Sequence, residues 1–329
     1  MTNLVIQSFG SENELKRAIL TVLSFYAYNS LPIAQTKIIL FTDNPDYFKA
    51  YLHEIPIQCI LLTPEKIKQM RGRINFLHRM KIALIEESFN ITEGDIIYAD
   101  SDTFFISDPA PLLKELNSKK SYMHVREYAF ESLRHAALPS GKTARAFLEL
   151  LESNTFKLTN GINVKYSTDK FSWNAGAMMF HPAHAKFIPD VYTLTDQFYP
   201  ATLSHASEQF AFSLILQSKT EVKPCDTMIY HYWYRVKKQI MDIFLAEHLN
   251  KAWAKKPLSE KLINVKEWCS IMPDYFAKHV LMVKDIAIQA FNEQRFLVGY
   301  SHSLKVLSKT PFDINFIKDV FYHIREHIK

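Results

Sequence analysis

Asp100 and Asp102 lie one residue apart at the end of a short apolar run, residues 96–99, and Thr103, Phe104 and Phe105 return at once to apolar character. The run reads as a buried strand. In open α/β sheets ligands gather outside the carboxyl ends of the strands. Two carboxylates at such an end can both reach one hard cation, which prefers oxygen ligands. A polar turn between two strands is the plainer account of the same residues.

Four further groupings place polar chemistry in apolar surroundings. Asn174 and Gly176 interrupt the apolar stretch 171–180. Glycine admits close approach of a ligand or a second backbone, and an asparagine amide both donates and accepts; a bulged strand with a core amide would look the same. Glu208 and Gln209 open an apolar helix, where a carboxylate can also simply answer the helix dipole. His231 stands among Tyr230, Tyr232, Trp233 and Tyr234, a setting that equally suits a packed core imidazole. Arg79 and Lys81 lie on a helix that ends shortly before the aspartate strand. That segment borders the same crevice, although helix cations are commonly surface groups.

To bring these groups together the chain must alternate strands and helices. Residues 4–9, 37–42 and 57–62 read as the first three strands, and 95–99 carries the aspartates at its end. The intervening helices are 12–28, a short one from Thr63-Pro64, and 75–89. Ser11 with Glu14 three residues on has the capping-box pattern. Further on, a helix starts at Asp108, strands are expected at 122–126 and 172–180, and helices at 182–199 and 207–217. Segments 221–225 and 228–233 are extended. Residues 127–170 are weakly periodic and read as a substrate-facing insertion. From Lys237 the pattern is helical, including 275–291 and 316–328. Such alternation implies a mainly parallel sheet with both faces covered.

Composition limits the chemistry. With only 7 glycines, neither Gly-x-Gly-x-x-Gly nor a Gly-x4-Gly-Lys-Ser/Thr loop occurs, so any nucleotide must be held by another device. Cys59, Cys225 and Cys269 are far apart and show no zinc or disulfide spacing, which leads us to expect a reducing, cytoplasmic setting. The first residues read as a strand rather than a signal peptide. The net charge of +5 is concentrated from residue 235 onward, where 16 Lys+Arg face 10 Asp+Glu. Solvated helix faces account for that excess, as does peripheral contact with an anionic membrane. We expect two parts: a catalytic domain over 1–235 and a basic helical extension over 236–329.

Taken in order, these groupings resemble the GT-A glycosyltransferases, which transfer sugars from nucleotide-diphospho-sugars. The likeness is strongest to the glycogenin-like and lipopolysaccharide-galactosyltransferase-like branch, family 8. It is carried by Asp100-Ser101-Asp102, by Arg79 and Lys81, by Trp173-Asn174-Ala175-Gly176, by Glu208-Gln209 where the family has Asp-Gln, and by His231. It covers roughly residues 1–235. The Lys-Pro-Trp segment that often follows the family's histidine is absent.

The resemblance implies a GT-A, Rossmann-like α/β fold and a divalent metal, Mn²⁺ or Mg²⁺, held by Asp100, Asp102 and His231. One imidazole in a carboxylate shell favours Mn²⁺. It also implies a nucleotide-diphospho-sugar donor, a UDP-sugar foremost. Arg79 and Lys81 would meet its diphosphate, and Asp100 and Ser101 its ribose; Ser8, Phe9 and Asp43, at the ends of the first two strands, are candidates for base and ribose contacts or equally ordinary loop residues. Asn174, Glu208 and Gln209 would hold the sugar. The acceptor would be a glycan, glycolipid or protein, and nucleic acid is not expected. Two other readings stand beside it. One is a haloacid-dehalogenase-like phosphatase with Asp100 as nucleophile, for which the downstream acidic pair is missing. The other is a non-catalytic sugar-nucleotide- or glycan-binding relative.

Overall fold

A computed structural model describes residues 1–136 and 141–328. Among the described residues there are thirteen strands: β1 Thr2–Gln7, β2 Thr36–Thr42, β3 Ile57–Leu61, β4 Asp95–Ala99, β5 Thr103–Phe105, β6 Lys120–Met123, β7 Arg126–Ala129, β8 Phe156–Lys157, β9 Asn163–Val164, β10 Phe171–Trp173, β11 Ala177–Phe180, β12 Glu221–Pro224 and β13 Ile229–His231. Seven of them form one sheet in the order β12-β6-β11-β4-β1-β2-β3. β1 pairs in parallel with β2 and β4, and β11 alone in this sheet runs against its neighbours. Successive residues of β1 alternate between the faces. Leu4 and Ile6 enter one core and Val5 the other, and all three are fully buried. Burying each such side chain contributes about 1.5–3 kcal/mol.

The helices are α1 Glu12–Tyr28, α2 Pro45–Leu52, α3 Pro64–Arg71, α4 Arg79–Ile91, α5 Ala110–Glu115, α6 Gly141–Ser153, α7 Ile188–Thr202, α8 Ser207–Lys219, α9 Arg235–His248, α10 Lys251–Ala254, α11 Leu258–Lys278, α12 Val280–Asn292, α13 Phe296–Lys309 and α14 Ile314–Ile328. Helices α4, α7 and α8 cover one face of the sheet. The other is covered by α1 together with α9 and α11, so the core of that face continues into the C-terminal third. Helices α12–α14 close a smaller apolar cluster of their own around Ala287, Phe291, Val306 and Phe316. This is the mainly parallel α/β architecture with a helical C-terminal extension that the sequence led us to expect.

Several boundaries differ from expectation, each for a local reason. The helix expected over 75–89 begins only at Arg79, because Asn75 takes a left-handed conformation (φ 51°). The strand expected over 172–180 is two strands. β10 pairs with β7, β11 pairs with β4, and the chain breaks between them at 174–176. The strand expected over 122–126 likewise splits into β6 and β7. The helix expected over 275–291 is interrupted at His279, whose Nδ1 accepts the Leu281 N–H and caps α12. Residues 127–170 hold more order than their periodicity shows: β7, a 3₁₀ turn over Phe130–His135, α6 and the β8–β9 hairpin. Part of that insertion, residues 137–140, lies outside the described residues.

Candidate functional site

The parallel strands end on one edge of the sheet, and a cleft of about 1010 Å³ opens there. One wall of it is the turn after β4. The Asp100 N–H donates to the Gly176 carbonyl (2.8 Å), which fixes the turn against the start of β11. β5 then pairs antiparallel with β13, placing His231 opposite Thr103, and the Tyr232 N–H donates to the Asp102 carbonyl (3.0 Å). As a result one ligand atom from each of Asp100, Asp102 and His231 lies within 4.8 Å of the others. Two carboxylates and an imidazole suit a divalent cation with borderline-hard preferences.

Cations and donors surround this group. Lys81 reaches in from α4, is 7% exposed, and donates to Asp100 Oδ2 and the Ala175 carbonyl, both at 3.1 Å. Burial alone would lower its ammonium, but Asp100 and Glu208 outweigh that and hold it above the ordinary lysine range. Tyr98 donates to the other Asp100 oxygen, and its burial, reinforced by Asp100, keeps the phenol neutral. Asp102 is buried. Burial would raise its carboxyl, yet His231 (Nε2 to Oδ1 3.3 Å) and Lys238 (2.6 Å) hold it well below the usual carboxylate range. Both Asp100 oxygens are thus engaged, an arrangement unlike a free nucleophile's.

The adjoining wall is made by the break at 174–176 and the first turn of α8. The Asn174 side chain donates from Nδ2 to Glu127 Oε1 (3.2 Å), while its Oδ1 accepts the Gly176 N–H (3.0 Å) and faces His231 Nδ1 (2.8 Å). The glycine is required by packing: a Cβ on Gly176 would stand 2.1 Å from the His231 ring. Glu208 is 4% exposed, with Oε1 3.6 Å from Lys81 Nζ and Oε2 buried without a hydrogen-bond partner among the described residues. Gln209 donates to Glu127 Oε2 (2.8 Å) and Ser172 (3.0 Å), and its Oε1 accepts the Ala175 N–H (3.2 Å).

Most of the residues singled out from the sequence therefore meet in this cleft: Ser8, Phe9, Lys81, Asp100, Ser101, Asp102, Asn174, Glu208, Gln209 and His231. Two do not line it. Arg79 turns to the other side of α4, where it is held by Asp196 (2.7 and 3.1 Å) and the Met70 carbonyl and lies over the Tyr192 ring. Its guanidinium is taken up by the packing of α4 on α7, so the expected diphosphate contact is corrected. Asp43 is exposed and accepts the Gly10 N–H (3.0 Å), bracing the loop after β1 instead of facing the cleft. The amide of Asn174, expected at the sugar, is occupied within the protein.

Other cleft residues were not singled out from the sequence. Lys238 comes from the first turn of α9, and its only sequence signal was the general basicity of the tail. Glu127 joins Ser172, Asn174 and Gln209, and lies in the weakly periodic insertion. Glu14, expected to complete a capping box, instead accepts from Ser101 (2.6 Å) and pairs with the buried Arg17, which grips Asp242 of α9 with two bonds of 2.7 Å. Trp233, 51% exposed, stands at the rim beside His231. The insertion does face the cleft, through Tyr128, Leu133 and His135 among others.

No protein-family model matches the sequence, and no curated protein matches it. Solved structures similar to it are glycosyltransferases. The galactosyltransferase LgtC in complex with donor and acceptor sugar analogs shares 12% identity over 82% of this chain and 99% of that one (TM-score 0.47). GlyE of Streptococcus pneumoniae TIGR4 shares 14% over 82% of this chain and 63% of its own (TM-score 0.46). Mouse xyloside xylosyltransferase 1 shares 13% over 68% of this chain and 85% of its own (TM-score 0.44). At TM-scores below 0.5 such likenesses carry no functional argument of their own, so the residues of the cleft must carry it.

Proposed function

We propose that the protein is a metal-dependent glycosyltransferase that moves a sugar from a nucleotide-diphospho-sugar to a glycan, glycolipid or protein acceptor. One observation carries this reading: Asp100, Asp102 and His231 converge in a single cleft with a buried lysine and a buried, unpartnered glutamate oxygen. A divalent cation, Mn²⁺ or Mg²⁺, bound by that triad would act as a Lewis acid toward the departing diphosphate. Lys81 adds a fixed positive charge beside Asp100, and Lys238 can turn from Asp102 to a phosphate oxygen by charge-assisted hydrogen bonding. Glu208 Oε2 is an acceptor lacking a donor, and a sugar hydroxyl supplies one. Held near Lys81 in a water-poor wall, the same carboxylate can stabilise positive charge developing on the sugar. Ser8, Phe9 and Ser101, at the ends of β1 and β4, line the floor where nucleoside would lie, and Trp233 offers its face at the rim to an acceptor.

The test is a thermal-shift and calorimetric screen of UDP-, GDP- and CMP-sugars with and without Mn²⁺, because a ligand of the native state raises apparent stability by mass action. A shift with one nucleotide-sugar only when Mn²⁺ is present is the expected result, with a UDP-sugar the first candidate. Absence of any shift, together with absence of donor hydrolysis or transfer, would sink the reading.

We further infer work at the cytoplasmic face of a membrane. No helix among the described residues is long and apolar enough to cross one. The support for surface contact is that α13, α14 and the turn between them expose Leu297, Leu304, Phe312, Ile314 and Phe321 among Lys305, Lys309, Lys318 and Arg325. Flotation with anionic against neutral vesicles tests it; replacing Phe312 and Phe321 with serine should release the protein, and unchanged flotation would remove this face from consideration.

A further inference from the structure

We propose that Glu127 is a positioning residue that holds, through Asn174, a proton on Nδ1 of His231, and so makes Nε2 the nitrogen that a cation beside Asp102 would take. The inference rests on the metal-site reading above for its purpose, but its logic is that of hydrogen-bond donors and acceptors alone.

A carboxylate only accepts. Glu127 Oε1 is 3.2 Å from the Asn174 side-chain amide, so that end of Asn174 must be the NH₂. The opposite end accepts the Gly176 N–H at 3.0 Å, which gives the same orientation independently. Asn174 Oδ1 is therefore an acceptor where it meets His231 Nδ1 at 2.8 Å, and Nδ1 must be the donor. Without an ion the ring pairs with Asp102 through an N–H on Nε2 as well; with a cation there, the one N–H of the neutral ring stays on Nδ1 and Nε2 gives its lone pair. That nitrogen faces Asp102 Oδ1 at 3.3 Å. A lone pair opposite a carboxylate oxygen is an arrangement that a cation between them satisfies.

The other Glu127 oxygen does the same for Gln209. It accepts Gln209 Nε2 at 2.8 Å, which turns Oε1 to the Ala175 N–H at 3.2 Å. Ser172 completes the set at 3.0 Å. One carboxylate on β7 thus orients two amides, one aimed at the metal ligand and one beside Glu208. Partners that orient a metal-bound histidine commonly change metal affinity about 10–100-fold when removed.

The experiment uses the full chain. Glu127→Gln keeps the shape but lets position 127 offer either a donor or an acceptor. Nitrogen-15 NMR of histidine-labelled, metal-free protein should show an N–H on His231 Nδ1 in the wild type and mixed occupancy of that nitrogen in E127Q. Calorimetry with Mn²⁺ alone should show affinity falling about tenfold or more in E127Q. Asn174→Asp alone sets two carboxylates together and should also weaken binding. The double variant E127Q/N174D restores a donor–acceptor pair and should recover both the Nδ1 proton and the Mn²⁺ affinity. An unchanged Nδ1 proton in E127Q, or a double variant no better than either single one while all remain folded by circular dichroism, overturns the proposal. Failure of the wild type to bind Mn²⁺ would instead strike the functional reading and leave the Nδ1 result standing.

Discussion

The turn at 100–102 and the break at 174–176 sit side by side at one edge of the sheet, tied by the Asp100–Gly176 hydrogen bond. They are built differently. The turn gathers charge: its carboxylates meet Lys81, His231 and Lys238, contributed by α4, β13 and α9. The break gathers neutral amides whose polar ends are all assigned, and it uses a missing side chain to admit the His231 ring. One presents ligands; the other aims them. The charged side is compensated by groups that can be exchanged for an ion, whereas the amide side tolerates little because each bond dictates the next.

Five substitutions probe this division, beginning with the largest effect. Asp100→Ala or Asp102→Ala should abolish Mn²⁺ binding and lower transfer on the order of 10³-fold, since leaving-group neutralisation is worth several kcal/mol and each 1.36 kcal/mol is tenfold. Steady-state kinetics and calorimetry check this, and near-normal transfer would refute the role of the turn. Gly176→Ala should cost at least about a hundredfold in Mn²⁺ affinity, because the added methyl takes the place of the His231 ring. A folded G176A with unaltered affinity would erase the distinction between the two elements.

Lys238→Met should act in opposite directions on two measurements. Metal-free stability should fall by about 1 kcal/mol, an exposed-pair value appropriate to its partly exposed ammonium, while Mn²⁺ binds several-fold tighter because the lysine no longer competes for Asp102. An Mn²⁺ affinity in Lys238→Met equal to that of the wild type would show that the pair and the ion do not share the site. Arg79→Ala, the smallest in effect on chemistry, should leave transfer unchanged and reduce stability by about 1–2 kcal/mol through loss of the Asp196 pair and the Tyr192 contact. Weakened donor binding would return Arg79 to the cleft.

The pair Arg79 and Lys81 also shows what was legible beforehand. Both were read toward the site, yet two residues on a helix are about 200° apart around its axis, so only one can face the cleft. The bounds of α1 were readable because its apolar period and Ser11 cap agree, and the Ser11 hydroxyl does accept the Glu14 N–H. The aspartates were readable because a strand and its polar end are contiguous in sequence. The break at 174–176 looked like strand because both flanks are apolar; only the switch of partner from β7 to β4 reveals it. Lys238 and Glu127 were illegible. Their meaning depends on α9 folding back along α1 and on β7 lying beside β10, contacts that no local pattern encodes.

The grip of Arg17 on Asp242, beside the bond between Lys238 and Asp102, has a consequence for how the protein is made. The aspartate turn leaves the ribosome long before α9 does, by roughly ten seconds or more at ordinary elongation rates. Until α9 arrives, Arg17 lacks one of its carboxylates and Asp102 lacks one of its cations. The nascent chain therefore carries an unfinished site through much of its synthesis, and the cleft acquires its full charge balance only when the last third of the polypeptide docks.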